Sequence, residues 1–244
     1  MEFTDQAALL YLQEGMVFSQ LSAMGIDNQP SSRQAILDHP FLMMYLRTKA
    51  REIMEFQGKE LLQDIGYEPR TVLDIGCGLG LCSLALYQEM ETKPTLFLVD
   101  GGREFEKDTA TYMNTFKDDG TDFVSDLRIT MDLLLRNGVP QEKMNFLGPV
   151  ADNVASLKPG SIDLVFSNAS WFYHYPPEIY WDAVQSVMHK DSTLRVDIQV
   201  NYLSPHPEHV DFLKERFLEV KELRYTGMGE HPRKSLTVLA KYPL

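Results

Sequence analysis

Two sets of residues in this chain have types and spacing suited to chemistry. The first is Asp74-Ile75-Gly76-Cys77-Gly78-Leu79-Gly80, followed by the apolar run Leu96-Phe97-Leu98-Val99 that ends at Asp100. Glycines let backbone approach a ligand that any Cβ would push away, and the helix after such a loop offers unpaired N–H groups to negative charge. A carboxylate closing the next strand is placed to accept hydrogen bonds from both hydroxyls of a ribose. Glycines at alternate positions are not the G-x-G-x-x-G spacing of a dinucleotide site, and no G-x-x-x-x-G-K-[ST] is present for a triphosphate. The chemistry indicated is recognition of a nucleoside cofactor of another kind.

The second set is Ser167-Asn168-Ala169-Ser170-Trp171-Phe172-Tyr173-His174-Tyr175-Pro176-Pro177. Trp171, Tyr173 and Tyr175 are suited to wall a substrate pocket, exclude water and offer cation–π contact to a positively charged ligand. The plainer alternative has Trp171 and Tyr173 packing beneath the N-terminal helices. His174, with an ordinary pKa near ~6.5, can take a proton from a hydroxyl, and Tyr173 or Asp197 can substitute for it. Asp197 belongs to a run in which Thr193, Arg195, Asp197 and Gln199 alternate with apolar residues, although a central parallel strand should be apolar on both faces. Either Arg195 and Asp197 form a structural pair, or Asp197 faces the substrate or orients His174. His206-Pro207-Glu208-His209 has H-x-x-H spacing but no third ligand nearby, so no metal is expected.

The elements that must position these residues alternate. Residues 1–66 read as a helical cap, with apolar residues at helical spacing from Ala7 to Leu21 and a long helix from Leu42 to Ile65. Strands are expected at 70–75, 95–100, 143–147, 162–167 and 193–200, with closing strands near 220–226 and 235–242. Helices are expected at 80–90, 122–136, 177–189 and 207–219. This is an α/β pattern: a parallel sheet with helices on both faces, in which ligands bind at the carboxyl ends of the strands.

The string Asp74-x-Gly76-x-Gly78-x-Gly80 resembles motif I of the class I S-adenosylmethionine-dependent methyltransferases, and Asp100 stands where that family keeps its ribose carboxylate. The resemblance covers roughly residues 66–244. It implies a Rossmann-like sheet of seven strands, mostly parallel with the last antiparallel, and S-adenosyl-L-methionine as cofactor. The cofactor-binding residues it implies are Asp74, Gly76, Cys77, Gly78, Gly80, Asp100 and Gly101, with Ser167 and Asn168 after the fourth strand. The family also places a polar residue beside the adenine, here Asp152 or Asn153; an aspartate capping the helical turn 153–157 is the other reading. The connection from Gly101 to Thr121 is longer than the family's, and is either a binding loop or an extra helix. The segment around His174 does not match N-P-P-[YF]; it looks like the histidine-containing loop of small-molecule methyltransferases.

The implied reaction is methyl transfer to an oxygen or nitrogen of a small polar or aromatic metabolite, such as a sugar or natural-product intermediate. An RNA or protein methyltransferase, and a non-catalytic S-adenosylmethionine-binding partner protein, are the alternatives. The 244 residues carry 23 Lys plus Arg against 35 acids, a net charge of −12, which argues against nucleic-acid partners. No apolar run suits a membrane span, Met1-Glu2-Phe3-Thr4-Asp5-Gln6 has no basic start, and Cys77 and Cys82 suggest no disulfide. A cytoplasmic location is expected. The apolar faces of the cap need a partner, either the substrate or a second subunit in a homodimer.

Overall fold

In the computed structural model, residues 2–4, 7, 40–100, 127–168, 170–201, 204–205, 207–227 and 234–244 are described. Helix α1 (Pro40–Ile65) starts with proline at its first position, where the missing N–H costs nothing, and stops at Gly66, whose φ is +75°. Met43, Leu46, Ala50, Met54, Leu61 and Ile65 recur along one stripe and are buried. That stripe lies on α2 (Leu81–Glu89) at very short range. A Cβ added to Gly58 would stand 2.5 Å from the Cβ of Ala85, so only glycine permits this crossing. The helix was expected from Leu42, and the expected helices from Ala7 to Leu21 lie outside the described residues except for Ala7.

The strands are β1 (Thr71–Ile75), β2 (Thr95–Val99), β3 (Met144–Leu147), β4 (Ile162–Ser167), β5 (Ser170–Tyr175), β6 (Met188–Asn201), β7 (Ser204–Pro205), β8 (Phe217–Gly227) and β9 (Lys234–Pro243). Among the described residues seven of them form one path, β3-β2-β1-β4-β6-β9-β8, with the short β7 hydrogen-bonded to β6. The pairs β1–β2, β1–β4, β2–β3 and β4–β6 are parallel, and β9 runs antiparallel to both β6 and β8. This is the expected Rossmann-like sheet, with order reversing between β1 and β4.

Helices cover both faces. One core gathers α1, α2 and part of α3 (Leu127–Arg136) over Val72, Leu96, Leu164, Phe166 and Leu239. The other gathers α5 (Glu178–Val187) and α6 (Pro207–Lys214) over Leu73, Ile75, Val165, Leu194, Val196 and Ile198, with Val154 of the short helix α4 (Ala151–Ala155). Alternate residues of each strand thus serve opposite layers.

Three boundaries differ from expectation. The expected helix 177–189 stops at Val187 and β6 begins at once, because a register irregularity opposite Asp163 absorbs the extra residues and the buried Ser192 donates to the Ile162 carbonyl at 2.6 Å. The expected helix 207–219 ends at Lys214, since Phe217 is buried against Trp181 at the start of β8. The expected loop after β4 is the extended segment β5, which lies alongside β6. Residues 101–126, including the long connection, lie outside the described residues.

Candidate functional site

The glycine loop leaves β1 at its carboxyl end and is held mostly by its own backbone. The N–H groups of Gly76 and Cys77 both donate to the Val99 carbonyl, at 2.8 and 3.1 Å, and Gly80 donates to Cys77 at 2.7 Å. Gly78 donates to Asp100 Oδ2 at 2.6 Å, which ties the loop to the end of β2. The glycines answer to different neighbours from the ligand expected. A Cβ on Gly76 would sit 1.9 Å from Ser170 Oγ, and one on Gly80 would meet Thr130 Cγ2 at 3.1 Å; both have positive φ. The loop is glycine-rich at those two positions because β5 and α3 press on it. Thr130 adds a hydroxyl bond to the Gly78 carbonyl at 2.8 Å.

Asp74 is fully buried beneath this loop and accepts a 2.6 Å bond from Ser83 Oγ on α2. Burial pushes its carboxyl up to about 7, against the Ser83 bond, with the Asp100 charge adding to the rise. Asp100 itself is part-buried, its N–H donating to Leu147 at 3.3 Å. Tyr175 comes close enough for that carboxylate to act on it: burial first, and Asp100 second, raise the phenol's pKa. The phenol therefore keeps its proton. Asp74, Gly78, Asp100 and Tyr175 are thus brought together. Cys77 is in the loop, half-buried; Gly101 lies outside the described residues.

Beyond β3, α4 begins earlier than the expected turn, so Asp152 falls in its exposed first turn and the cap position is Val150. The capping reading of Asp152 is corrected accordingly. Asn153 donates to the Gly148 carbonyl at 3.3 Å, holding the loop in which Pro149 accepts from Tyr180 Oη.

After β4 the chain turns sharply. Ser167 is buried with its hydroxyl engaged twice, donating to Ile75 at 2.7 Å and accepting from the Trp171 N–H at 2.8 Å. It joins β1 to the β4–β5 corner. Trp171 is fully buried, its Nε1 donating to Pro177 at 3.0 Å and its rings packed edge-on with Phe172 and Tyr180. It lies in the α5–α6 core, on the face opposite α1, so it does not pack beneath that helix. Phe172 turns the chain at φ +67°, a conformation unusual for an aromatic residue. Tyr173 is buried; the side chain of His174 lies outside the described residues. His209, read from sequence as a weak metal candidate, stands edge-on to Phe172 with ring centroids 5.9 Å apart.

The charges in β6 form a buried network on the α1–α2 face. Arg195 Nε reaches Asp64 Oδ2 of α1 at 3.4 Å, its Nη1 bonds the Asn168 carboxamide oxygen, and Nη1 lies 3.5 Å from Asp197 Oδ1. Thr237 on β9 donates to Asp197 at 2.8 Å. The Arg195 and Asp64 side chains are only 7% and 8% exposed. The expected Arg195–Asp197 pair is therefore one arm of a larger cluster whose members Asp64 and Thr237 sequence reading missed, as it missed Ser83, Thr130 and Ser170 around the glycine loop. Each touches its partner across a long stretch of chain or from a helix with no marking motif. Among the described residues no cluster of His, Cys, Asp and Glu could hold a metal ion, and no helix is long and apolar enough to cross a membrane.

Solved structures share this fold at low sequence identity. A candidate O-methyltransferase from Nostoc punctiforme PCC 73102 superposes with a TM-score of 0.51 at 15% identity, over 78% of this chain and 56% of that one. The bifunctional kinase-methyltransferase WbdD gives 0.51 at 17% identity, over 80% and 39%. Cofactor-bound Rv0187 from MTB gives 0.54 at 15% identity, over 78% and 79%. The chain thus spans about two fifths of WbdD and just over half of the Nostoc protein. No protein-family model matches the chain, and no curated protein matches it in sequence. The fold is that of the class I S-adenosylmethionine-dependent methyltransferases.

Proposed function

We propose that this chain is an S-adenosyl-L-methionine-dependent methyltransferase acting on an oxygen or nitrogen of a small polar or aromatic metabolite. The observation that carries the reading is Asp100, a carboxylate at the end of β2 fixed through one oxygen by the Gly78 N–H, at the edge of the crevice where strand order reverses. The donor set fits the cofactor. A carboxylate suits ribose hydroxyls, the loop from Asp74 to Gly80 has no lysine or arginine for phosphate, and nearby acids favour a cation. Asp74, the loop backbone, Asp100 and Tyr175 would hold it, with Asp152 or Asn153 nearer the adenine.

When bound, the cofactor supplies a methyl group on a cationic sulfur, open to in-line attack. The chain's own contribution is to hold the two reactants close and exclude water, worth several orders of magnitude in rate. His174, on β5 at the same rim, takes the proton of a hydroxyl acceptor as general base. Calorimetry with S-adenosyl-L-methionine and S-adenosylhomocysteine tests the cofactor, followed by a screen of metabolite pools with the cofactor's methyl labelled. Binding without label transfer to any pool would leave a non-catalytic binding protein instead.

A further inference from the structure

We infer that Arg195 is a positioning residue for the ligand crevice, acting through Asn168. This rests on the cofactor reading above. Asn168 directly follows β4, at the carboxyl end where the crevice opens between β1 and β4, and it is only part-buried. Its carboxamide oxygen accepts from Arg195 Nη1. A carboxamide held by its oxygen is not free to flip, so its N–H donors stay at the end away from the guanidinium.

The guanidinium is suited to this work because it is anchored from the other side. Asp64 on α1 holds Nε, and Asp197, itself fixed by Thr237, lies beside Nη1. One cation between two carboxylates on two elements cannot swing, and a lysine has a single nitrogen that cannot span Asp64 and Asn168 together. A buried charge on a central strand is expensive unless it is used. Here its reach ends on a polar group at the ligand rim, and the network as a whole joins α1, β4, β6 and β9.

The test separates holding the fold from holding the carboxamide. Dissociation constants for S-adenosylhomocysteine and thermal midpoints are measured for the full chain and for Asn168→Asp, Asn168→Ala, Arg195→Lys, Asp64→Asn and the Arg195→Lys/Asn168→Ala double variant. Asn168→Asp keeps an oxygen for Arg195 and removes the N–H donor, so it should fold normally and bind about two- to tenfold more weakly, the worth of one hydrogen bond. Arg195→Lys should weaken binding by a similar factor, and the double variant no more than Asn168→Ala alone, since both break one link. Asp64→Asn loosens the anchor of the guanidinium, so it should lower the thermal midpoint and weaken binding by no more than Arg195→Lys does. Wild-type affinity in Asn168→Asp or in Arg195→Lys, or additive losses in the double variant, would overturn the inference. Absence of any binding by the unaltered chain would instead overturn the cofactor reading on which it rests.

Discussion

The two rims of the sheet use the same residue type in opposite ways. At the amino ends of the strands, Asp163 accepts from the N–H groups of Arg70 and Thr71 at 2.7 and 3.0 Å and from His189 Nε2 at 2.9 Å. The Asp191 N–H donates to His189 Nδ1, which fixes the neutral tautomer with its proton on Nε2. Burial works against the Asp163 charge, but the His189 bond and the two backbone donors outweigh it, and the pKa is lowered. At the carboxyl ends, Asp74 has one hydroxyl donor in full burial and its pKa rises to about 7. A groove of about 380 Å³ lies on the amino rim, lined by Tyr67, Glu68, Arg70, Asp163, His189 and Asp191. Bonds from Tyr67, Asp163 and His189 tie β1, β4 and β6 together there, so that rim fastens the sheet.

Substitutions on the two rims should therefore have crossed effects. The largest expected is at His174: replacement by alanine should lower kcat by ~10²–10⁴ with cofactor affinity unchanged, and remove an acid limb near pH ~6.5 from the rate profile. Turnover near wild type at saturating acceptor would assign the chemistry to proximity alone. Next is Asp100→Ala, for which calorimetry should show at least about tenfold weaker S-adenosyl-L-methionine binding, since two charge-assisted bonds are lost. Unchanged affinity would remove Asp100 from the ribose.

On the amino rim the pattern should invert. Asp163→Asn should leave cofactor affinity intact and lower the thermal midpoint, by roughly 2–4 °C for each kcal/mol lost. Because its folded pKa is depressed, the Asp163 contribution is present above the ordinary carboxylate value of 3.8 and disappears as pH falls through the lowered one. The variant should thus lose part of the acid-side slope in a series of melts. The smallest effect concerns Asp74, whose raised pKa has the opposite sign. Its contribution is complete below 3.8 and is lost as pH rises through about 7. Asp74→Asn should flatten the fall in stability between those values; an unaltered slope would place the titration elsewhere.

How far the sequence could be read follows from the range of the interactions. The glycine loop, the strand before it and Asp100 are local signals within one β-α-β unit, and the parallel sheet followed from the alternation of elements. The face taken by Trp171 was not legible, because an aromatic beside a turn packs wherever the layers leave room. Nor was the partner of Arg195: the alternating charges marked β6 as odd, but Asp64 lies 131 residues away on a helix with no distinguishing pattern. The reason for Gly76 was hidden similarly, since Ser170, which crowds it, belongs to the far side of the sheet's crossover.

That separation of Asp64 from Arg195 also has a consequence for the growing chain. Synthesis at ~5–20 residues per second puts roughly 7–26 s between the two residues. The stripe of α1 can settle on α2 early, through Gly58 and Ala85, but its last turn carries an acid whose cation has not yet been made. Until β6 emerges, that carboxylate belongs in water, so the end of α1 should stay loose. Ribosome-stalled chains ending before β6 should then be cut by protease near residue 64 and those extending past β9 should not; equal protection in both would show that α1 locks without its partner.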